Sequence, residues 1–193
     1  MNDIVSKKKK LRNTLTKKRE NIKKYSKINF NPDLFNKLKI YINFDEIESV
    51  ASFSSIHSEI STTQLNRKII ESNKILSLPV IKENSEELKF RKVNLNENFY
   101  LGKFNIPEPN NCNEELIPQL FFVPCLGFDL NGYRIGYGGG FYDRTFAKLN
   151  KLKYKFYTVG FAYDQQKEVN IPREEFDYKL DFVLTEKQLY KFI

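Results

Sequence analysis

The sequence has no tryptophan, a single histidine, His57, and only two cysteines, Cys112 and Cys125. Two cysteines without a CxxC partner build neither a disulfide framework nor a structural zinc site, so we expect two reduced thiols in a cytoplasmic protein. We interpret His57 as incidental to function. No stretch approaches the roughly 18 apolar residues that a membrane span needs, and the charged N-terminus lacks the apolar core of a secretory signal.

Basic charge is abundant, but it is concentrated at one end of the chain. The formal net charge is +8, and eleven of the 32 Lys and Arg residues lie within residues 1–27 together with only two of the 24 acids. The remainder is therefore close to neutral. A length of 193 residues with 40% hydrophobic and 15% aromatic residues suits one packed domain, so we predict a single domain over residues 1–193.

Residues 5–26 are predicted to form a basic amphipathic helix. Leu11, Leu15 and Ile22 are spaced by four and seven residues and form one narrow apolar stripe. Three interpretations of the basic faces stay open: a solvated surface, groups that bind an anionic ligand, and a patch that binds RNA. Lys8 and Arg12, four apart on one face, favour the ligand. RNA is disfavoured because the basic run lacks interleaved aromatic residues that stack on bases.

Beyond this helix, strands alternate with helices. Asn31-Pro32 is a helix start, with an N-cap side chain followed by proline. Apolar runs predict strands at 49–54, 75–81, 119–125, 155–162 and 182–185, and helical patterns cover 63–72, 142–149 and 186–192. This order predicts an α/β fold, a single mostly parallel, Rossmann-like sheet flanked by helices.

Three further segments carry weaker signals. Residues 88–93 alternate weakly, which predicts an edge strand. Residues 94–113 are polar and contain Pro107 and Pro109, which predicts a long loop. Asn131-Gly132 predicts a hairpin turn between 128–130 and 133–135.

The densest motif is the glycine-rich stretch Asn131 to Arg144, with glycines at 136, 138, 139 and 140. A predicted strand enters it and a predicted helix leaves it. That arrangement points backbone N–H groups at a phosphate. Arg134 and Arg144 bracket the loop with positive charge, and Asp143 is placed to hold a divalent cation.

Two common nucleotide-binding motifs are excluded by the spacing. A dinucleotide fingerprint needs a third glycine where Phe141 stands, and it needs an acid that is absent between Asp143 and Asp164. A Walker loop ends in G-K-[ST], but Phe141-Tyr142-Asp143 follows the last glycine here. A tight turn that uses glycine for positive φ stays open beside a phosphate loop of another kind.

The stretch closely resembles the signature of the 5-formyltetrahydrofolate cyclo-ligase family, also called methenyltetrahydrofolate synthetases. The resembling segments are Phe122-Val-Pro-Cys-Leu-Gly-Phe-Asp129 and Gly132-Tyr-Arg-Ile-Gly-Tyr-Gly-Gly-Gly-Phe-Tyr-Asp-Arg144. Three other places are similar in the same order: Lys8-Lys-Lys-Leu-Arg12, Glu59-Ile-Ser-Thr62 with Leu78-Pro79, and Ile171-Pro172 with Asp177 and Leu180-Asp-Phe-Val-Leu-Thr-Glu186.

The resemblance implies an ATP- and Mg²⁺-dependent ligase. It would cyclise 5-formyltetrahydrofolate to 5,10-methenyltetrahydrofolate through a phosphorylated formyl group, releasing ADP and phosphate. By match to the family, the ATP-binding residues are Lys8, Lys9, Lys10, Leu11, Arg12, Arg134, Ile135, Gly136, Tyr137, Gly138, Gly139, Gly140, Phe141 and Tyr142. Arg134 is also the catalytic residue, and Asp143 and Asp181 are the magnesium ligands.

The folate side follows from the same match. The implied substrate-binding residues are Ser54, Glu59, Phe104, Tyr137, Gly138, Gly139, Gly140 and Phe141. We expect a monomer whose partners are ATP and 5-formyltetrahydrofolate, with neither membrane nor nucleic acid. Two alternatives remain: a diverged protein that binds nucleotide or folate without turnover, and an RNA-associated protein that uses the basic helix.

Overall fold

The computed structural model describes residues 2–25, 30–94 and 97–193. Four α-helices are present there: α1 (Asn2–Tyr25), α2 (Pro32–Tyr41), α3 (Thr63–Glu71) and α4 (Phe141–Lys151). The predicted helix 5–26 is α1, although residue 26 lies outside the described residues, as do residue 1 of the predicted domain and 95–96 of the predicted loop. The Asn31 side chain caps α2 by accepting from the Asp33 N–H, as predicted.

The strands described by the structure form one large sheet and two small ones. They are β1 (Ser49–Ala51), β2 (Ile75–Val80), β3 (Lys89–Lys92), β4 (Tyr100–Leu101), β5 (Pro107–Glu108), β6 (Glu115–Leu116), β7 (Leu120–Pro124), β8 (Gly127–Asp129), β9 (Arg134–Ile135), β10 (Tyr157–Phe161), β11 (Lys167–Glu168), β12 (Phe182–Leu184) and β13 (Leu189–Lys191).

The large sheet has the order β13-β12-β10-β7-β1-β2-β3-β6. Its inner strands, from β12 through to β2, pair in parallel. The outer strands β13, β3 and β6 pair antiparallel. The predicted α/β fold with a mostly parallel sheet is therefore confirmed.

The central strand β7 is apolar on both faces because both faces are covered. Leu120 and Phe122 pack in one core with residues of α2 and α3, whereas Phe121 and Val123 pack in another with Phe146 of α4. Buried parallel strands read as continuous apolar runs for this reason. No helix in the described part of the chain is both long enough and apolar enough to cross a bilayer.

The basic helix α1 lies on the small sheet β11-β8-β9. Leu11 and Leu15 pack with Leu126, Ile135 and Ile171 in a separate apolar cluster. Ile22, two turns beyond Leu15, belongs to the core on the α2 and α3 side. The predicted stripe is thus the docking surface of the helix, and it fixes which side chains of α1 turn inward.

Three predicted segments differ from the structure. Residues 186–192 contain the strand β13 rather than a helix, because Leu189 and Tyr190 bury themselves by pairing with β12. The segment 88–93 contains β3, but β6 pairs outside it, so it is not an edge strand. The predicted loop 94–113 contains the antiparallel pair β4 and β5 in its described part.

Truncating the docking stripe should weaken the whole protein. Leu15 is 1% exposed, so Leu15→Ala leaves a cavity between α1 and the small sheet and is expected to lower the free energy of unfolding by roughly 2–5 kcal/mol. Val5→Ala, on the same helix at 54% exposure, is the matched control and should change it by less than about 0.5 kcal/mol. Urea denaturation measures both, and equal effects would contradict the docking role.

Candidate active site

The glycine loop, defined as residues 136–140, lies between β9 and α4 at the carboxyl edge of the large sheet. Arg19 links the glycine loop to the end of β7 in the large sheet. Its Nη1 donates to the Cys125 carbonyl, just beyond β7, at 3.2 Å, and its Nη2 donates to the hydroxyl of Tyr137 in the loop. Ligands of open parallel sheets bind at this edge. The structure therefore places the motif where an α/β protein binds its substrates.

Four arginines surround this loop. Arg12 Nε donates to the Gly136 carbonyl at 2.9 Å, and Arg144 Nη2 donates to the Gly139 carbonyl at 2.7 Å. Arg19 holds Tyr137, and Arg134 lies over the Tyr142 ring with its Cζ 5.6 Å from the centroid. Four guanidinium groups on one short loop create a strongly positive surface that suits an anionic ligand.

The conformation of the loop depends on glycine at two positions. Gly138 has φ +102 and Gly140 has φ +68, a region that other L-residues rarely adopt. A Cβ atom at Gly138 would lie 3.1 Å from Arg12 Cζ, and one at Gly140 would lie 2.4 Å from Arg144 Nη1. The glycines thus serve a tight turn and also make room for the arginines, so the two interpretations left open by the sequence are compatible.

Arg134 and Asp143 form the centre of the site. Arg134 Nη2 donates to Asp143 Oδ1 at 3.1 Å, and the Tyr178 N–H donates to the same oxygen. The Arg134 side chain is only 6% exposed. Within the described residues, its buried Nε and the buried Tyr142 hydroxyl have no hydrogen-bond partner. Such unmatched polar atoms mark a position where a ligand oxygen would be stabilised.

The N-terminal residues named from the resemblance have different surroundings. Lys8 is 5% exposed, and its Nζ donates to Asp177 Oδ2 at 2.6 Å and to Glu174 Oε2 at 2.7 Å. Lys9 and Lys10 are exposed to solvent. Leu11 and Ile135 are packing residues in the cluster under α1. The structure therefore brings Lys8 and Arg12 toward the site, but not Lys9, Lys10, Leu11 or Ile135.

The two predicted metal ligands share no contact in the structure. Asp143 lies in the first turn of α4, beside the glycine loop. Asp181 directly precedes β12, and its Oδ2 accepts from the Thr158 N–H and hydroxyl at 2.7 and 2.8 Å, at the amino end of β10. No group of three His, Cys, Asp or Glu side chains suited to a metal occurs among residues 2–25, 30–94 and 97–193. A metal there would need most of its ligands from a substrate.

The predicted substrate residues outside the glycine loop lie in two segments, one after β1 and one between β4 and β5. The Ser54 hydroxyl donates to the Pro107 carbonyl at 2.6 Å and so fastens the segment that carries Phe104. Phe104 is 66% exposed, with φ +64, and its ring meets that of Phe141 edge to face at 6.5 Å. The exposed Phe104 ring and the partly buried Phe141 ring offer an apolar surface for an aromatic ligand.

Glu59 is a buried carboxyl group, only 4% exposed. Its Oε2 accepts from the Ile56 N–H at 2.9 Å, and its Oε1 lies 3.8 Å from Arg19 Nη1. Burial raises the pKa of Glu59 from 4.5 to about 7, although the Ile56 N–H, Arg19 and Lys23 oppose this shift. The group therefore changes charge near neutral pH, beside the candidate site.

Arg19 is the residue that sequence reasoning missed. It is 1% exposed and lies on the docking face of α1, between Leu15 and Ile22. The signal was present, since a charged residue at an apolar position of an amphipathic helix is buried only with partners. Its partners come from distant parts of the chain and were not readable from the helix alone.

Comparisons with known proteins agree over most of the chain. Residues 4–186 match the model of the 5-formyltetrahydrofolate cyclo-ligase family. The chain is 32% identical over 149 residues to the 5-formyltetrahydrofolate cyclo-ligase of Escherichia coli K12, covering 75% of this chain and 81% of that protein. It is 29% identical over 164 residues to the Mus musculus protein of the same name, covering 79% and 80%.

Two solved structures are similar in fold. The Aquifex aeolicus 5,10-methenyltetrahydrofolate synthetase superposes with a TM-score of 0.75 at 30% identity, covering 96% of this chain and 92% of that chain. The Mycoplasma pneumoniae synthetase superposes with a TM-score of 0.67 at 19% identity, covering 93% and 98%, which supports the fold alone.

The buried Glu59 carboxyl should make stability depend on pH. Its folded-state pKa is raised, so between about pH 4.5 and 7 the folded protein keeps a proton that the unfolded chain has released. Stability should therefore fall as pH rises through this window, by roughly 3 kcal/mol at most. Glu59→Gln removes this titration. The free energy of unfolding of the variant should therefore increase relative to that of the original protein as pH rises from about 4.5 to 7. Urea denaturation from pH 4.5 to 8 measures this, and parallel curves would contradict it.

Proposed function

The chain belongs to the 5-formyltetrahydrofolate cyclo-ligase family, and we propose that it uses ATP and Mg²⁺ to convert 5-formyltetrahydrofolate into 5,10-methenyltetrahydrofolate. The observation that carries this proposal is the set of three arginines beside the glycine loop, Arg12, Arg134 and Arg144. Their charge suits a triphosphate, and the loop borders both the α1 side and the Glu59 side of the site.

The proposed chemistry needs alignment and charge neutralisation rather than a nucleophilic side chain. A formamide oxygen is a poor leaving group, so the γ-phosphoryl group of ATP is transferred to it and ADP is released. N10 of the folate then attacks the activated formyl carbon, the five-membered ring closes and phosphate departs. Positioning two ligands in contact and stabilising phosphoryl charge supply most of the rate in such reactions.

Arg134 is the proposed catalytic residue. Its guanidinium is nearly buried and held by Asp143, and its Nε is without a partner among the described residues. A phosphoryl oxygen would accept a charge-assisted hydrogen bond from that Nε, and little water competes for it. The amides of Gly138 and Gly140 and the side chains of Arg12 and Lys8 are proposed to bind the other phosphate oxygens.

Magnesium fits this site only together with the nucleotide. Mg²⁺ is usually held by one or two carboxylates and the phosphates of its substrate. Asp143 offers such a carboxylate beside the phosphate loop, whereas Asp181 bonds Thr158 at the amino end of β10, away from the carboxyl edge where the loop lies. When bound, the ion would neutralise charge on the phosphates. Asp181 as a ligand stays a prediction.

The folate is proposed to lie against Glu59, Tyr137, Phe104 and Phe141. A carboxylate accepts from the N–H donors of a pterin ring, and Glu59, in the segment after β1, would supply that carboxylate. The edge-to-face rings of Phe104 and Phe141 offer an apolar surface to the rest of the molecule. The monomeric state and the cytoplasmic location stay predictions.

The two alternative functions receive less support. Lys8, Arg12 and Arg19 of α1 turn toward the protein and are bonded there, which leaves fewer cations for an RNA surface. A binding protein without turnover is less supported because the relatives that match this chain are named cyclo-ligases.

Turnover can be tested directly with the purified protein. Mg-ATP and 5-formyltetrahydrofolate are mixed with it, and the absorbance of the methenyl product is followed over time. We expect product formation that requires both ATP and Mg²⁺. Absence of product at saturating concentrations of all three would contradict the proposal.

Replacing Arg134 tests the assignment of the phosphate site. Arg134→Ala removes a charge-assisted contact to the transferring group, so kcat should fall by about 10²- to 10³-fold. Arg67→Ala, at an exposed position of α3, is the matched control and should keep normal turnover. Unchanged kcat in a folded Arg134→Ala protein, judged by circular dichroism, would show that phosphate binds elsewhere.

A further inference from the structure

Arg19 connects parts of the site that are far apart in sequence. Its Nε donates to Ser58 Oγ at 3.0 Å, its Nη1 donates to the Cys125 carbonyl at 3.2 Å, and its Nη2 donates to the Tyr137 hydroxyl. These acceptors belong to the segment before α3, the end of β7 and the glycine loop. All three nitrogens of one guanidinium are therefore used, each on a different element.

The same guanidinium also supplies charge to Glu59. Arg19 Nη1 lies 3.8 Å from Glu59 Oε1, and both side chains are almost fully buried. Its Cζ lies 5.4 Å from the centroid of the Tyr137 ring, so the group contacts the ring as well as its hydroxyl. Tyr137 is otherwise 49% exposed, and without this contact its side chain would be free to choose among rotamers.

We propose that Arg19 is a positioning residue that holds Glu59 and the Tyr137 hydroxyl in the orientation that 5-formyltetrahydrofolate requires. This inference rests on the proposed function. Arg19 itself is buried behind these two residues and acts on the substrate through them. The inference deepens the proposed function because it assigns the binding of folate to a residue of α1, the helix that otherwise contributes to the nucleotide side.

Arginine suits this position better than lysine would. A guanidinium presents donors in fixed, planar directions, so it can bond Ser58, Cys125 and Tyr137 at the same time. An ammonium group on a flexible chain keeps the charge near Glu59 but cannot reach all three acceptors. Charge and geometry can therefore be separated by substitution.

The charge of Arg19 also affects the titration of Glu59. Two cations of α1 face this carboxyl group, Arg19 and Lys23, and both lower its pKa. Tyr137, Tyr142 and the buried Cys125 thiol also interact electrostatically with Glu59. Burial raises the pKa of each of these three groups, so they are neutral near pH 7. Removing the charge of Arg19 should therefore raise the pKa of Glu59, and Lys23 alone cannot offset the loss.

The test compares Arg19→Lys and Arg19→Gln with Lys17→Gln, an exposed control on the same helix. Both Arg19 variants should raise the KM for 5-formyltetrahydrofolate by about tenfold or more, since bonds that fix two substrate contacts are lost, and leave the KM for ATP within about twofold. The control should change neither constant. Equal increases in both KM values, or no increase in either, would overturn the inference.

A pH profile separates positioning from general damage. The acid limb of kcat/KM for folate should move to higher pH in Arg19→Gln and move less in Arg19→Lys, which keeps the charge. The limb should disappear in Glu59→Gln, where no carboxyl group titrates. Identical limbs in the original protein and in Arg19→Gln would contradict the coupling of Arg19 to Glu59.

A second variant keeps the inference testable if substitutions of the buried arginine prevent folding. Tyr137→Phe removes only the hydroxyl that Arg19 holds, at a half-exposed position, so the protein should fold. It should raise the KM for folate several-fold, and by more than it changes the KM for ATP. An unchanged folate KM would overturn the inference. Where Arg19→Lys folds, the double variant Arg19→Lys/Tyr137→Phe should have a KM for folate no higher than that of the more damaging single variant, because both substitutions remove the same contact.

Failure of this inference differs from failure of the proposed function. Turnover by the original protein is measured first, and its absence would contradict the cyclo-ligase proposal. Binding of 5-formyltetrahydrofolate is then titrated by calorimetry, which does not require turnover. Tighter or equal binding by folded Arg19→Lys, with normal turnover in the original protein, would overturn only the role of Arg19.

Discussion

The docking of one basic helix is the contact on which the site depends. Leu11 and Leu15 anchor α1 on the small sheet, and the spacing of the helix then turns Arg12 and Arg19 toward the glycine loop and Lys8 toward Asp177. Burial of the apolar stripe stabilises the docked helix, but it does not set the orientation of the helix, since the hydrophobic effect is non-directional. The arginines set that orientation, because each one donates hydrogen bonds to a particular carbonyl or hydroxyl oxygen. A helix that looks like a charged surface element is in this way part of the interior of the site.

The buried cations around the site are already paired with carboxylates. Lys8 has Asp177, Arg19 has Glu59 and Arg134 has Asp143. Buried charges require such partners, because an unpaired one would destabilise the fold by several kcal/mol. A phosphate group entering the site therefore competes with the carboxylates of the protein, or shares their cations. The raised pKa of Glu59, about 7, means that its own negative charge is only partly present near neutral pH.

Prediction from the sequence was accurate where a pattern is local. The continuous apolar run of β7, the Asn31 cap and the stripe of α1 each follow from neighbours a few residues apart, and the structure has them as expected. It was wrong for residues 186–192, since Leu189 and Tyr190 form a strand only because β12 lies beside them. For the site, Glu59, Arg134 and Asp143 were named from motifs, but the pairing of Arg134 with Asp143 and of Glu59 with Arg19 was not predicted.

The sequence by itself determined the fold class, the position of the glycine loop and the family, because periodicity and short motifs are properties of adjacent residues. Only the tertiary structure decided which charges meet. Arg19 contacts Ser58, Cys125 and Tyr137 across separations of 39, 106 and 118 residues, and no local pattern encodes such contacts. Likewise, Asp143 and Asp181 match the same metal site in sequence but bond to different neighbours. The physical reason is that electrostatic pairing depends on distance in space, which the chain sets only when its helices pack on the sheet.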